Sequence, residues 1–233
     1  MEDRMLDLSD APEQRPGELI PDGTFAQLKL AIRPGGHNIV GADVDDLGIF
    51  KASERSDAVM LDCELSVLRG PHSGRKLWTM LVVAGGRLDE AGNSKGGAIA
   101  KATMRAMVDS ALGLDPKDAS DATKAKRRLP NYRSLDGIEF FAKIGIEQGG
   151  PAPNGGTYPD KNIITHIVVL GEPQYAALKA GQEMPPAPSG LITPARTAAA
   201  PAPAQPAWMQ QPQQQPAAIP QAAPAQGPSW LRR

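Results

Sequence analysis

Apolar positions along the chain fall into five strand-like stretches and one helical stretch, separated by clusters of Gly, Pro and Asp. Ala26, Leu28, Leu30 and Ile32 alternate with Gln27, Lys29 and Ala31, flanked by Phe25 and Arg33. A two-residue period of this kind predicts a strand buried on one face. The pattern is cleaner over 59–67, where Val59, Leu61, Cys63, Leu65 and Val67 alternate with Asp62, Glu64 and Ser66. Gly70-Pro71-His72-Ser73-Gly74 predicts a turn, and 76–83 is apolar on both faces, so these two strands read as a hairpin. The period then lengthens. Ser94 is a candidate N-cap for a helix over 95–112, with Ala100, Met104, Met107, Val108 and Ala111 as its buried stripe and Gly113 as its stop. Asp115-Pro116 predicts a second short helix, with proline at its first position, ending near Lys124, Lys126, Arg127 and Arg128. Two more strands follow. Ile138, Phe140, Ala142, Ile144 and Ile146 alternate with Glu139, Phe141, Lys143 and Glu147. After a Gly/Pro loop over 148–161, the stretch 163–170 is apolar almost throughout, as a central strand would be.

The flanks differ from this region. Residues 1–21 form an acidic leader broken by Pro12 and Pro16, and 181–233 are dominated by Pro, Ala and Gln. Neither carries enough apolar side-chain area to offset its ordering entropy, so both are expected to be disordered and 22–180 is the one globular candidate. Its order is strand, long loop over 34–57, strand, turn, strand, helix, strand, loop, strand. That is the order of an OB-like five-stranded barrel with one or two helices between the third and fourth strands, though other small barrels and α+β sheets share it.

Charge refines the picture. The whole chain has 25 Lys and Arg against 26 Asp and Glu, which gives no bulk pull toward nucleic acid or membrane. Residues 1–22 hold seven acids and two bases, whereas 23–180 hold 20 bases and 18 acids, so the candidate domain is mildly basic once its leader is set aside. A single cysteine excludes an internal disulfide and suits a reducing compartment. No apolar run reaches the ~18 residues of a membrane span, and the N-terminus lacks the apolar core of a signal peptide, so a cytoplasmic protein without a membrane partner is expected.

Candidate chemistry points to binding. An OB barrel takes ligands across its second and third strands, between two loops. Single-strand binding there needs aromatic faces to stack bases and cations to follow phosphates. The first strand offers Phe25, Lys29 and Arg33; the third, Arg75, Lys76 and Trp78; the fourth, Phe141 and Lys143; the last loop, Tyr158 and Lys161. The competing reading is that Phe141 and Trp78 are ordinary packing residues. Asp62 and Glu64 on the outward side of the second strand would repel phosphate unless the 34–57 loop covers them. The Lys124–Arg128 cluster reads first as a solvated helix end. His37, His72 and His166 lack metal-ligand spacing, with His166 expected as a satisfied barrel residue. Cys63 falls on an apolar face, and Gly92-Asn93-Ser94-Lys95-Gly96-Gly97 lacks the spacing of a phosphate-binding loop. No cofactor, metal site or catalytic constellation is expected. Trp208 and Trp230, rare aromatics in the tail, are candidate docking points for partner proteins.

Several short motifs resemble a family of phage and prophage proteins similar to single-stranded-DNA-binding proteins. Pro21-Asp22-Gly23-Thr24-Phe25 resembles its opening strand. Gly70 through Trp78, with Gly74-Arg75-Lys76-Leu77-Trp78, resembles its hairpin, and Leu135-Asp136-Gly137 and Tyr158 through Asn162-Ile163-Ile164 resemble its last two strands. The resemblance covers about 20–175 and implies an OB-fold coating single-stranded DNA in replication or recombination, with room for a homo-oligomer. Two features depart from it: the 34–57 insertion is long, and the chain ends Trp230-Leu231-Arg232-Arg233 where bacterial single-strand binders end in an acidic, apolar tip. The alternatives are an OB-like protein–protein interaction module and, more weakly, an enzyme acting on nucleotides.

Overall fold

A computed structural model describes residues 17–152 and 155–187; Trp208 and Trp230 lie outside them. The chain forms a mainly-β domain built on one antiparallel sheet. Its strands are β1 (Thr24–Arg33), β2 (Phe50–Ala52), β3 (Val59–Val67), β4 (Lys76–Ala84), β5 (Glu139–Glu147) and β6 (Lys161–Val168). Among the described residues three α-helices accompany them: α1 (Lys95–Leu112), α2 (Asp121–Lys126) and α3 (Pro173–Lys179).

β1 is the spine. Its first half pairs with β5, from Thr24 opposite Ile144 to Lys29 opposite Glu139, and its second half pairs with β3, from Leu28 opposite Val67 to Arg33 opposite Asp62. β4 runs along the other edge of β3, and β6 along the other edge of β5. The alternation fixes which face is buried. Leu28, Leu30, Leu61, Cys63, Leu65, Leu77, Leu81, Phe140, Ala142 and Ile144 all point inward to one core. Each fully buried Leu or Ile contributes about 1.5–3 kcal/mol, and a one-residue slip would turn the whole set to solvent.

The expected α1 is present with its expected caps. Ser94 Oγ accepts from the Gly97 amide at 3.0 Å and donates to the Gly85 carbonyl at 2.5 Å, and Gly113 closes the helix at φ 63°. Met107, Ala100 and Val108 bury its stripe against β4, β5 and β6. Gly96 allows close approach, since a Cβ there would lie 3.1 Å from Val82.

The sequence expectation fails in four places. The sheet has six strands, because Phe50–Ala52 inside the expected loop pairs with Val59–Leu61. As β4 fills one edge of β3, β2 takes the edge that β1 leaves after Arg33. α2 begins at Asp121 rather than at Pro116. The Asp115 and Asp118 carboxylates accept from the amides of Lys117 and Ser120, which makes turns, and Ser120 supplies the cap. An unexpected α3 follows β6 and lays Tyr175 and Leu178 over Phe141 and Val168 in a second small cluster. The ordered part also begins before residue 22, for Ile20 is buried in the main core.

The two outer strands, β4 and β6, approach each other with no ladder between them. Residues 18–20 strap this seam where both strands begin. The Arg75 guanidinium donates to the Glu18 carbonyl, and the Asn162 carboxamide accepts from the Ile20 amide and donates to its carbonyl, both at 2.8 Å. α1 packs against both strands farther along. No helix among the described residues is long and apolar enough to cross a membrane.

Candidate nucleic-acid interface

The outward face of β1, β3 and β4 follows from the register. Lys29 lies opposite Ser66 and Ser66 opposite Lys76; Ala31, Glu64 and Trp78 form the next rung; Arg33, Asp62 and Met80 the third. Trp78 is 54% exposed and Met80 44% exposed. Two large apolar side chains thus stand open on neighbouring rungs of this face.

The acids on this face are neutralised from three strands. Asp62 is 5% exposed, with Lys51 Nζ of β2 at 3.3 Å and Arg33 Nη1 at 3.9 Å. Glu64 is half-buried and bridged by Lys76 Nζ at 2.6 Å. The segment expected to be a loop therefore covers Asp62, and does so as a strand. Four cations thus face two carboxylates beside the open Trp78 ring, a net charge of +2 (four minus two), with Lys29 unpaired among the described residues.

The other expected site residues separate into three places. Phe141 is 8% exposed and meets the Tyr175 ring edge-on at 5.5 Å, and Phe25 packs on the same cluster. Phe141 offers no stacking face, since α3 covers that part of the sheet, and Phe25 is left half-buried beside it. Lys143 lies on the same face, half-buried opposite Phe25 and His166. Arg75 is spent on the strap rather than on the open face. Tyr158 is exposed on the β5–β6 loop, where Gly149 is required because a Cβ would fall 1.5 Å from the Tyr158 carbonyl oxygen. Lys161 pairs with Glu147 at 2.8 Å. The structure thus brings Lys29, Arg33, Lys76 and Trp78 together and leaves Phe25, Arg75, Phe141, Lys143, Tyr158 and Lys161 apart from them.

Sequence reasoning missed Met80 and Lys51 as members of the face. Met80 could have been found by its parity with Trp78; Lys51 could not, since a three-residue strand has no period to read. His166 is also corrected: its side chain is 54% exposed and pairs with Glu172 at 2.8 Å, rather than filling the interior. Cys63 is packed as expected, and its burial, helped by Asp62 and Asp136, pushes the thiol up to about 12. In the Lys124–Arg128 cluster, Arg127 is not solvated. Its guanidinium is 12% exposed and holds the buried Asp109 carboxylate at 2.6 Å, while donating to the carbonyls of Asp118 and Asp115.

No protein-family model, curated protein or solved structure matches this chain.

Proposed function

We propose that this is an OB-like single-stranded-DNA-binding protein that acts without strong sequence preference in replication or recombination, as its motif resemblance to phage and prophage proteins implies. The element order supports the OB-like reading, with a first strand shared between two neighbours and a helix set across the seam of the outer strands. One observation carries the function: the Trp78 ring stands open among Lys29, Arg33, Lys51 and Lys76 while Asp62 and Glu64 are neutralised. A base stacks on the ring and its phosphates run past the cations. Phe141, packed under α3, has no part in this.

The test is a low-salt titration of the parent and Trp78→Ala against poly-dT. Losing one stacked base costs about 1–3 kcal/mol, a weakening of roughly 5- to 150-fold. Equal binding by the two proteins would remove the proposed face. The rival reading, a protein-interaction module, is favoured by exposed Val40, Val44 and Leu47 on a loop that is held in place. There the buried Asp46 carboxylate accepts from the amides of Tyr132 and Arg133. A parent protein that ignores poly-dT at low salt would favour it.

A further inference from the structure

A groove of about 2290 Å³ is lined by Thr79–Val83 of β4, by α1, by Ile164–Ile167 of β6 and by residues of the 116–132 segment. Met80 is two residues from Trp78 on the same side of β4, a separation of about 7 Å. The groove therefore opens directly off the face described above. Its far walls carry Lys101 and Arg105 from α1 and Lys117, Lys124 and Arg128 from the segment around α2.

Two of the acids in the groove are buried and held by the fold. Asp46 and Asp109 are both 2% exposed; the first accepts two backbone amides and the second is held by Arg127 and Arg105. Asp118, its carboxyl held down to about 2 chiefly by the Thr123 hydroxyl at 2.6 Å, stays anionic, and Glu172 meets His166 at 2.8 Å, so the lining sets six cations against five acids. Asp43 caps the turn that starts at Val44. Lys101, Lys117 and Arg128, in contrast, have no ion pair among the described residues, and Lys124 has only Asp121, fully exposed, at 3.5 Å. The Arg127 clamp fixes the segment that carries Lys117, Lys124 and Arg128, so the cations are presented by an anchored wall.

We infer that this groove is a second, phosphate-tracking part of the nucleic-acid site, which takes a single strand onward from Trp78 over the edge of β4 and along α1. α1 has 18 residues and so adds about 27 Å of path. The inference rests on the proposed function and adds a length dependence that the Trp78 face alone does not predict. Short oligonucleotides occupy the face; longer ones also reach Lys101, Lys117 and Arg128.

The experiment compares the full-length parent with a Lys101→Gln, Lys117→Gln, Arg128→Gln triple variant, on dT oligonucleotides of about 8 and about 30 nucleotides, sizes that bracket the range typical of one OB domain. All three side chains are exposed, so the variant keeps its core. Each cation on a single strand contributes about 0.7 to the log–log salt slope, so the 30-mer slope should fall by about 2, with roughly 50-fold weaker binding at 0.15 M salt. The 8-mer should lose clearly less than the 30-mer, because its roughly 27 Å, centred on Trp78, enter only the first part of the groove. Trp78→Ala should weaken both lengths. Unchanged 30-mer binding by the triple variant would overturn the groove, as would equal losses at both lengths. A parent that bound neither length would overturn the Trp78 reading itself and the groove with it.

Discussion

Replacing Arg127 with alanine strands a charge. Asp109 sits at 2% exposure in α1, with Arg127 Nε at 2.6 Å and Arg105 Nε at 3.6 Å. The Arg127 nitrogens also satisfy the carbonyls of Asp118 at 2.8 Å and Asp115 at 2.7 Å. Removing one partner of a buried ion pair costs about 3–5 kcal/mol, most of it the cost of leaving the other charge dry and unpaired. Arg105 remains but is half-exposed and more distant, so the lower end, about 3 kcal/mol, is the expected loss. In urea, with a slope of roughly 2 kcal/mol/M, the unfolding midpoint should fall by about 1.5 M. Adding Asp109→Asn to Arg127→Ala should recover part of that loss, because the stranded carboxylate is gone. A loss below about 1 kcal/mol, or no recovery in the double variant, would mean that water reaches Asp109 in the folded protein and that the clamp contributes little.

Two further outcomes test other parts of the fold. Ser110 Oγ donates to the Val168 carbonyl at 2.7 Å and accepts from the Phe141 amide at 3.0 Å, tying α1 to β5 and β6. Ser110→Ala orphans two buried backbone groups at about 1–2 kcal/mol each, and a thermal melt should drop by roughly 5–10 °C; a shift under about 2 °C would refute the tie. Cys63, its thiol pushed up to about 12 by burial, should resist a thiol reagent at neutral pH and react in step with urea unfolding. Full labelling of the native protein within minutes would contradict that burial.

The long strands and α1 were legible because each buries one face over eight or more residues, enough for a period of two or of 3.6 to repeat. The failures share a cause: what decided them lies elsewhere in the chain. β2 has three residues, and only its pairing with β3 makes Phe50–Ala52 a strand. α3 has seven, and once it forms it turns Phe141 from an outward residue of β5 into a packed one. The four cations within 124–128 look alike in the sequence, yet Arg127 alone meets a carboxylate 18 residues away on α1. The candidate site was legible in the same measure. Lys29, Arg33, Lys76 and Trp78 were placed by strand parity, whereas the neutralising of Asp62 depended on a lysine delivered by the strand that could not be read.

The strap at Ile20 joins residues 142 apart in the chain. While the protein is being made on a ribosome, the Ile20 strap cannot close until Asn162 has emerged, so the core stays open at one end for at least the first 162 residues of synthesis. Folding should accordingly be slow for a domain of this size and nearly all-or-none. Trimming the start of the chain through Ile20 should unseat a buried core side chain and strip Asn162 of both hydrogen bonds to the strap.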